Sequence, residues 1–251
     1  MKNKRRLNPI LLLAVAAILL LASTAGSARA ALTYYSENYL AEVTVSNIGI
    51  TLMENGNEVS RRNYIEDGTW DETKGALLSD TIGDQVVLGQ SYPEALSVYN
   101  SGAIDTYVRV IIQKSWKDAQ GVKNTELSPE LIGLGLVTGG NGWVIDEEAS
   151  TAERTILYYT EVLPVGESTT AVTNLLRIDP AVATKVIETV TTETVDGKEY
   201  KTIHYEHEYD GYSFDIEVEA DAVQTHNAED AIKSAWGIDV TAAADGTISL
   251  K

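Results

Sequence analysis

The sequence predicts an all-β protein, a jelly-roll-like β-sandwich with a few short helices. Three observations carry that reading. Short β-branched segments recur between the turn dipeptides Asn55-Gly56, Asp196-Gly197 and Asp210-Gly211, which tolerate positive φ. Strand-like and helix-like segments do not alternate as they would in a parallel α/β sheet. The aromatic complement is 13 Tyr and 4 Trp with a single Phe, and tyrosine suits strands that keep one face wet.

Taken in order, Val43, Val45, Ile48, Ile50 and Leu52 form a strand entering the Asn55-Gly56 turn, and the chain returns through Val59 to Ile65. Residues 66–84 are polar and Gly-rich and read as a long surface loop, pinned by Trp70 and the pair Leu77-Leu78. Val86 to Leu88 and Ala95 to Tyr99 bracket Pro93, and Asn100-Ser101-Gly102 turns the chain into Tyr107 to Trp116. In that segment Val108, Val110 and Ile112 share one face and Tyr107, Arg109 and Ile111 the other, the pattern of a strand central in a sheet.

Ser128-Pro129-Glu130 begins a short helix, with Ser as cap and Pro in the first turn, and Gly133 and Gly135 limit its length. Trp143 to Ile145 and Thr155 to Leu163 continue the β pattern, and Asp179-Pro180 opens a second short helix. Val186 to Val195 pairs with Lys198 to Tyr209, and Tyr212 to Glu219 follows, where Phe214, Ile216 and Val218 alternate with Asp215, Glu217 and Glu219. These three segments are expected to form a three-stranded meander with one solvated face. Asn227 is expected to cap a helix from Ala228 to Trp236 that Gly237 ends. No Pro- or Ser-rich linker and no repeat divides the chain, so residues 31–251 read as one domain.

The first thirty residues read as a signal peptide. Lys2, Lys4, Arg5 and Arg6 precede an apolar run of 13 residues from Ile10 to Ala22, and Ala28-Arg29-Ala30 is an A-x-A cleavage site. The run falls short of the roughly 18 apolar residues that a membrane span needs, so no permanent span is expected. Cleavage after Ala30 leaves 14 basic against 37 acidic residues, a net charge of -23, where the full chain carries -18. Such a surface repels polyanions, which argues against a nucleic-acid partner. The absence of cysteine excludes zinc ribbons, iron-sulfur clusters, thiol catalysis and disulfide scaffolds.

The residues that carry chemistry are few. His204 and His207 stand three apart, and on a strand that spacing points them to opposite faces, away from a shared metal. His226 sits at a helix start. No H-E-x-x-H, G-x-S-x-G, P-loop or EF-hand pattern occurs. The run Asp146-Glu147-Glu148 could take Ca²⁺, but no calcium motif surrounds it and a charge run on a loop is ordinarily solvated. Trp116, Trp143 and Trp236 read as core residues. Neither an enzymatic activity nor a cofactor is expected.

Several segments together resemble the TasA and camelysin family of secreted fibre proteins. They are Thr33-Tyr34-Tyr35-Ser36-Glu37 just after the cleavage site, Ser46 to Leu52, Leu88-Gly89-Gln90 before Pro93, and Asn100-x-Gly102. Tyr107-Val-Arg-Val before Trp116, Leu163-Pro-x-Gly-Glu-Ser-Thr169 and Val218 to Gln224 complete the series, which spans nearly all of residues 31–251. The chain departs from the pattern at Leu88, where relatives place Pro, at Glu37 in place of Asp, and in the loop at 66–84.

The resemblance implies a jelly-roll subunit, released by a dedicated signal peptidase and self-associating into extracellular fibres of a biofilm matrix or cell surface. An accessory or anchoring matrix protein is the further partner it implies. In that family the freed N-terminal segment of one subunit completes a sheet of the next. The corresponding donor here is Ala31, Leu32, Thr33, Tyr34, Tyr35 and Ser36 through Tyr39, with Leu32 and Tyr34 on one face and Thr33, Tyr35 and Tyr39 on the other. The alternatives are a camelysin-like surface metalloprotease, for which the chain has no zinc triad, and a non-polymerising accessory or adhesion module; for the segment Ala31 to Tyr39 itself the alternative is pairing within its own subunit.

Overall fold

A computed structural model describes residues 47–64, 69–78, 86–195 and 198–251, all within the unit Val45–Lys251. Residues 1–30, which the sequence predicts to be a signal peptide, and Val43 and Val45 of the first predicted strand lie outside the described residues. The described residues form a β-sandwich with short helices, as the sequence predicts.

Asn55 and Gly56 take φ of +50° and +84° and close a hairpin between β1 (Gly49–Glu54) and β2 (Asn57–Tyr64). Part of the expected loop after it is a strand: β3 (Trp70–Thr73) pairs with β2. Trp70 and Thr73 favour a strand while Asp71 and Glu72 between them do not, and ion pairs across the ladder offset that, Arg61 to Asp71 at 3.0 Å and Arg62 to Glu72 at 2.7 Å. Leu77 and Leu78 pack against the core as expected. Val86 to Leu88 is not a strand; a turn at Leu88 and Gly89 leads into β4 (Ser91–Pro93), followed by β5 (Leu96–Asn100).

On its other side β1 pairs with β5. Residues 166–172 run along β5 through bonds such as Thr169 N–H to Val98 O at 2.8 Å and Val172 N–H to Leu96 O at 2.7 Å. They lead into β11 (Thr173–Ile178), which lies between β4 and β8 (Ile132–Leu136). One layer of the sandwich therefore runs β3, β2, β1, β5, β11, β8.

The other layer has β6 (Thr106–Lys117) at its centre. It pairs with β10 (Arg154–Leu163) on one side and with β14 (Ser213–Gln224) on the other, while β9 (Trp143–Ile145) lies beyond β10 and the short β7 (Lys123–Asn124) pairs at the end of β6. The chain passes between the layers from β5 to β6, from β7 to β8, from β8 to β9, from β10 to β11, and, by way of the β12–β13 hairpin, from β11 to β14. Val108, Val110 and Ile112 face Ile50, Leu96 and Val98 across the core, with Leu157 and Trp143 beside them. A second apolar cluster gathers on Trp116, whose ring meets Tyr209 edge-on at 4.9 Å.

The outer face of β6 is covered as well. Tyr107 and Val223 pack under α1 (Ala228–Trp236) and the hairpin β15 (Val240–Ala242) to β16 (Ile248–Leu250), with Ile232 fully buried. A nine-residue helix is unstable alone, and burying Ile232 contributes roughly 1.5–3 kcal/mol toward holding it. Asn227 stands at its N-cap in the left-handed region, with no side-chain capping bond, so its contribution is the backbone conformation rather than the expected hydrogen bond.

The predicted meander is corrected by the structure. Among the described residues β12 (Val186–Val195) and β13 (Lys198–His207) pair only with each other, and β14 pairs with β6 instead of β13. The apolar face of β14 gains a core by joining β6, which the two-stranded hairpin cannot supply. The two short helices are 3-10 turns, Pro129–Leu131 and Pro180–Ala183, capped by Ser128 and Asp179 as expected.

Candidate functional site, an open sheet edge over a groove

β14 forms one margin of its layer. Its twelve residues all pair with β6, and among the described residues no strand pairs with its other side. In an antiparallel strand every second residue turns its N–H and C=O away from the neighbour, so this margin presents a row of peptide groups along its length. Phe214, Ile216, Val218, Ala220 and Ala222 turn inward and are only half-buried.

The opposite layer reaches further. β1 lies against β14, and β2 and β3 continue that layer beyond it. Arg62 stands opposite Ile50 in the β1–β2 ladder and therefore shares its core-side face, and the same holds for Glu72 opposite Arg62. The overhang leaves a groove of about 760 Å³, with Leu52, Val59 and Leu77 on one wall and Ile216, Val218 and Ala220 on the other. The segment that closes its end is fixed by Leu78 N–H donating to the Glu54 carboxylate at 2.6 Å.

Several charges around the groove are paired. The Arg62 guanidinium lies 4.4 Å over the Trp70 ring while its Nε meets Glu72, and Tyr64 contacts the same ring edge-on at 5.2 Å. On the solvent face of β14, Lys117 Nζ sits 2.7 Å from Asp215 and 3.7 Å from Glu217, and its hydrogen bond to Asp215 holds the ammonium above its ordinary pKa. Asp221 accepts from Arg109 Nε at 3.0 Å. Lys74 and Glu219 line the groove as well, and apolar side chains that alternate with charged ones along β14 suit an extended segment whose own side chains alternate.

Length separates this margin from the others. A nine-residue donor spans roughly 30 Å when extended. β14 has twelve residues to offer it, whereas β3 has four, β8 five and β9 three. The margins of β12 and β13 are long, but among the described residues these two strands form a two-stranded sheet of their own and line no part of the groove.

The candidate donor residues Ala31, Leu32, Thr33, Tyr34, Tyr35, Ser36 and Tyr39 lie outside the described residues. His204 and His207 are both on β13, three residues apart and so on opposite faces. His226 is exposed. In the acidic run, the Asp146 carboxylate accepts from Ala149 N–H at 3.0 Å and closes a local turn. Among the described residues no group of three or more His, Asp or Glu side chains is placed to hold a metal ion, and no helix is long and apolar enough to cross a membrane. Trp116 and Trp143 are core residues, and Trp236 packs against Tyr158 and Arg109.

Ile216, Val218 and Ala220 are the site residues that sequence reasoning did not single out. Their alternation with carboxylates was visible, but the lack of a second neighbour was not. In comparisons with known proteins, no family model, no curated protein and no solved structure matches the chain.

Proposed function

We propose that this chain is a secreted structural subunit that assembles into extracellular fibres of a biofilm matrix or cell surface. After a signal peptidase cuts behind Ala30, the segment Ala31–Tyr39 of one copy adds as a strand to the β14 margin of the next. The observation that carries this reading is a long edge, without a second strand partner among the described residues, beside a groove that Leu52, Val59, Leu77, Ile216 and Val218 line in part. The edge gives main-chain hydrogen bonds, and the groove takes alternate side chains. Leu32 and Tyr34, two apart on one face of the donor, are the side chains assigned to the groove. The resemblance of the Thr33 to Glu37 segment to fibre-forming proteins supports the same reading, and it makes the role architectural rather than catalytic.

The test is negative-stain electron microscopy of two purified chains, one beginning at Ala31 and one at Glu42. The expected result is filaments from the first and monomers from the second. Filaments from both, or from neither across salt, pH and Ca²⁺, would overturn donation by this segment.

A further inference from the structure

The β12–β13 hairpin has no role in the groove, and its surface is unlike that of a solvated loop. Val186, Val190, Ile203 and Tyr205 share one face, and each is between 44% and 64% exposed. Among the described residues neither strand pairs with any other. A two-stranded hairpin alone is marginal in water, and a long apolar margin is a template for pairing with another chain.

We infer that β12 pairs antiparallel with β12 of a second copy, joining two hairpins into a four-stranded sheet. Charge selects β12 over β13: β13 carries Lys198, Glu199, Lys201 and Glu206 along its length, whereas β12 carries only Glu188 and Glu193 among threonines, valines and an isoleucine. Symmetry then selects the register. The two-fold axis of an antiparallel strand pair is perpendicular to the sheet, so a symmetric pairing is centred on a residue. Centring on Glu188 or on Glu193 sets each carboxylate against its own copy, which is destabilising.

Centring on Val190 sets Val190 against Val190, Thr189 against Thr191 and Glu188 against Thr192, with no like charges opposed. Because Ile203 is the cross-strand partner of Val190, this register also completes an apolar row of Ile203, Val190, Val190 and Ile203 on one face of the four strands. The contact is independent of the β14 groove and links subunits laterally. With the net charge of -23 that the chain beginning at Ala31 carries, it strengthens as salt screens the repulsion.

The chain has no native cysteine, so single-cysteine variants read the register directly. Val190→Cys and Thr194→Cys lie on the same face of β12, and only the first is opposite itself in the proposed pairing. Under mild oxidation of the chain starting at Ala31, Val190→Cys is expected to form a disulfide dimer at least tenfold faster than Thr194→Cys. Val190→Lys is expected to abolish concentration-dependent dimer in sedimentation. Equal cross-linking at both positions, or a Val190→Cys chain that stays monomeric, would overturn the pairing. The comparison holds whether or not filaments form, since both variants share the same N-terminal segment.

Discussion

Val218 stands directly opposite Ile112 in the β14–β6 ladder, yet Ile112 is 1% exposed while Val218 is only half-buried. The two side chains share a face and a core. They differ because β6 has a strand on each side and β14, among the described residues, has one. That step in burial marks where the second layer stops short of the first, and it separates residues that hold the fold from residues available to a partner.

The two positions are therefore expected to respond differently to truncation. Ile112→Ala should cost about 2–5 kcal/mol, the range for a fully buried aliphatic. Val218→Ala should cost about 1 kcal/mol, since its two methyl carbons are already part-solvated. Val218→Asp should leave a folded monomer that makes no filaments. Denaturant unfolding and microscopy of the three variants check this.

Asn100 is fully buried, and its amide donates to Ile104 O at 2.9 Å and Leu163 O at 3.0 Å while accepting from Gly102 N–H at 3.0 Å. A Cβ on Gly102 would lie 2.5 Å from Gly49 N and 2.6 Å from Asn47 O, so the turn admits only glycine there. Asn100→Asp turns a carboxylate onto two carbonyls and is expected to destabilise by 3 kcal/mol or more, on the order set for a broken buried network. Thermal unfolding of the variant is the measurement.

Arg109 joins three elements. It pairs with Asp221 on β14, its guanidinium lies 5.4 Å from the Trp236 ring of α1, and Tyr158 packs on the same ring at 5.5 Å. Arg109→Ala should cost about 2–3 kcal/mol by leaving Asp221 unpaired in a part-buried site. Arg109→Lys should recover less than half, because an ammonium lacks the planar face that stacks on the indole. Denaturation midpoints and the near-ultraviolet signal of Trp236 report both.

Three tyrosines set an alkaline limit. Burial raises the phenol pKa of Tyr107, Tyr158 and Tyr159 above 10.0, with Asp245 adding to the first and Glu161 to the third. A phenol whose folded pKa is raised stabilises the fold below its unfolded pKa, and that contribution is lost as pH rises through the folded value. Stability should thus decline from about pH 10 upward. Absorbance at 295 nm should show a fraction of phenols ionising only as the chain unfolds.

Much of this fold is legible in the sequence, and the failures share a cause. The alternation in Tyr107 to Trp116 fixes both faces of β6 because each face is buried by something different, the core on one side and α1 on the other. Asn55-Gly56 and Asn100-x-Gly102 are legible because local geometry demands those residues. β3 escaped notice because cross-strand ion pairs, not its own composition, hold it. Adjacency in sequence points to β13 as the neighbour of β14, whereas its partner β6 lies about a hundred residues earlier. The groove was invisible for the same reason. Whether a strand has one neighbour or two is a property of sheet order, and no single segment encodes it.

Like charges on neighbouring subunits repel, so assembly of the chain beginning at Ala31 is expected to quicken at higher salt or lower pH. Light scattering across an ionic-strength series tests this, and slowing with salt would contradict it.

The most direct test of the central claim is amide hydrogen exchange of the chain beginning at Glu42, with and without a peptide of sequence Ala31–Tyr39. Strand addition at β14 predicts slowed exchange within Ser213–Gln224 and unchanged exchange within Val186–Val195. A peptide that binds without protecting β14, or that protects another margin instead, would contradict it.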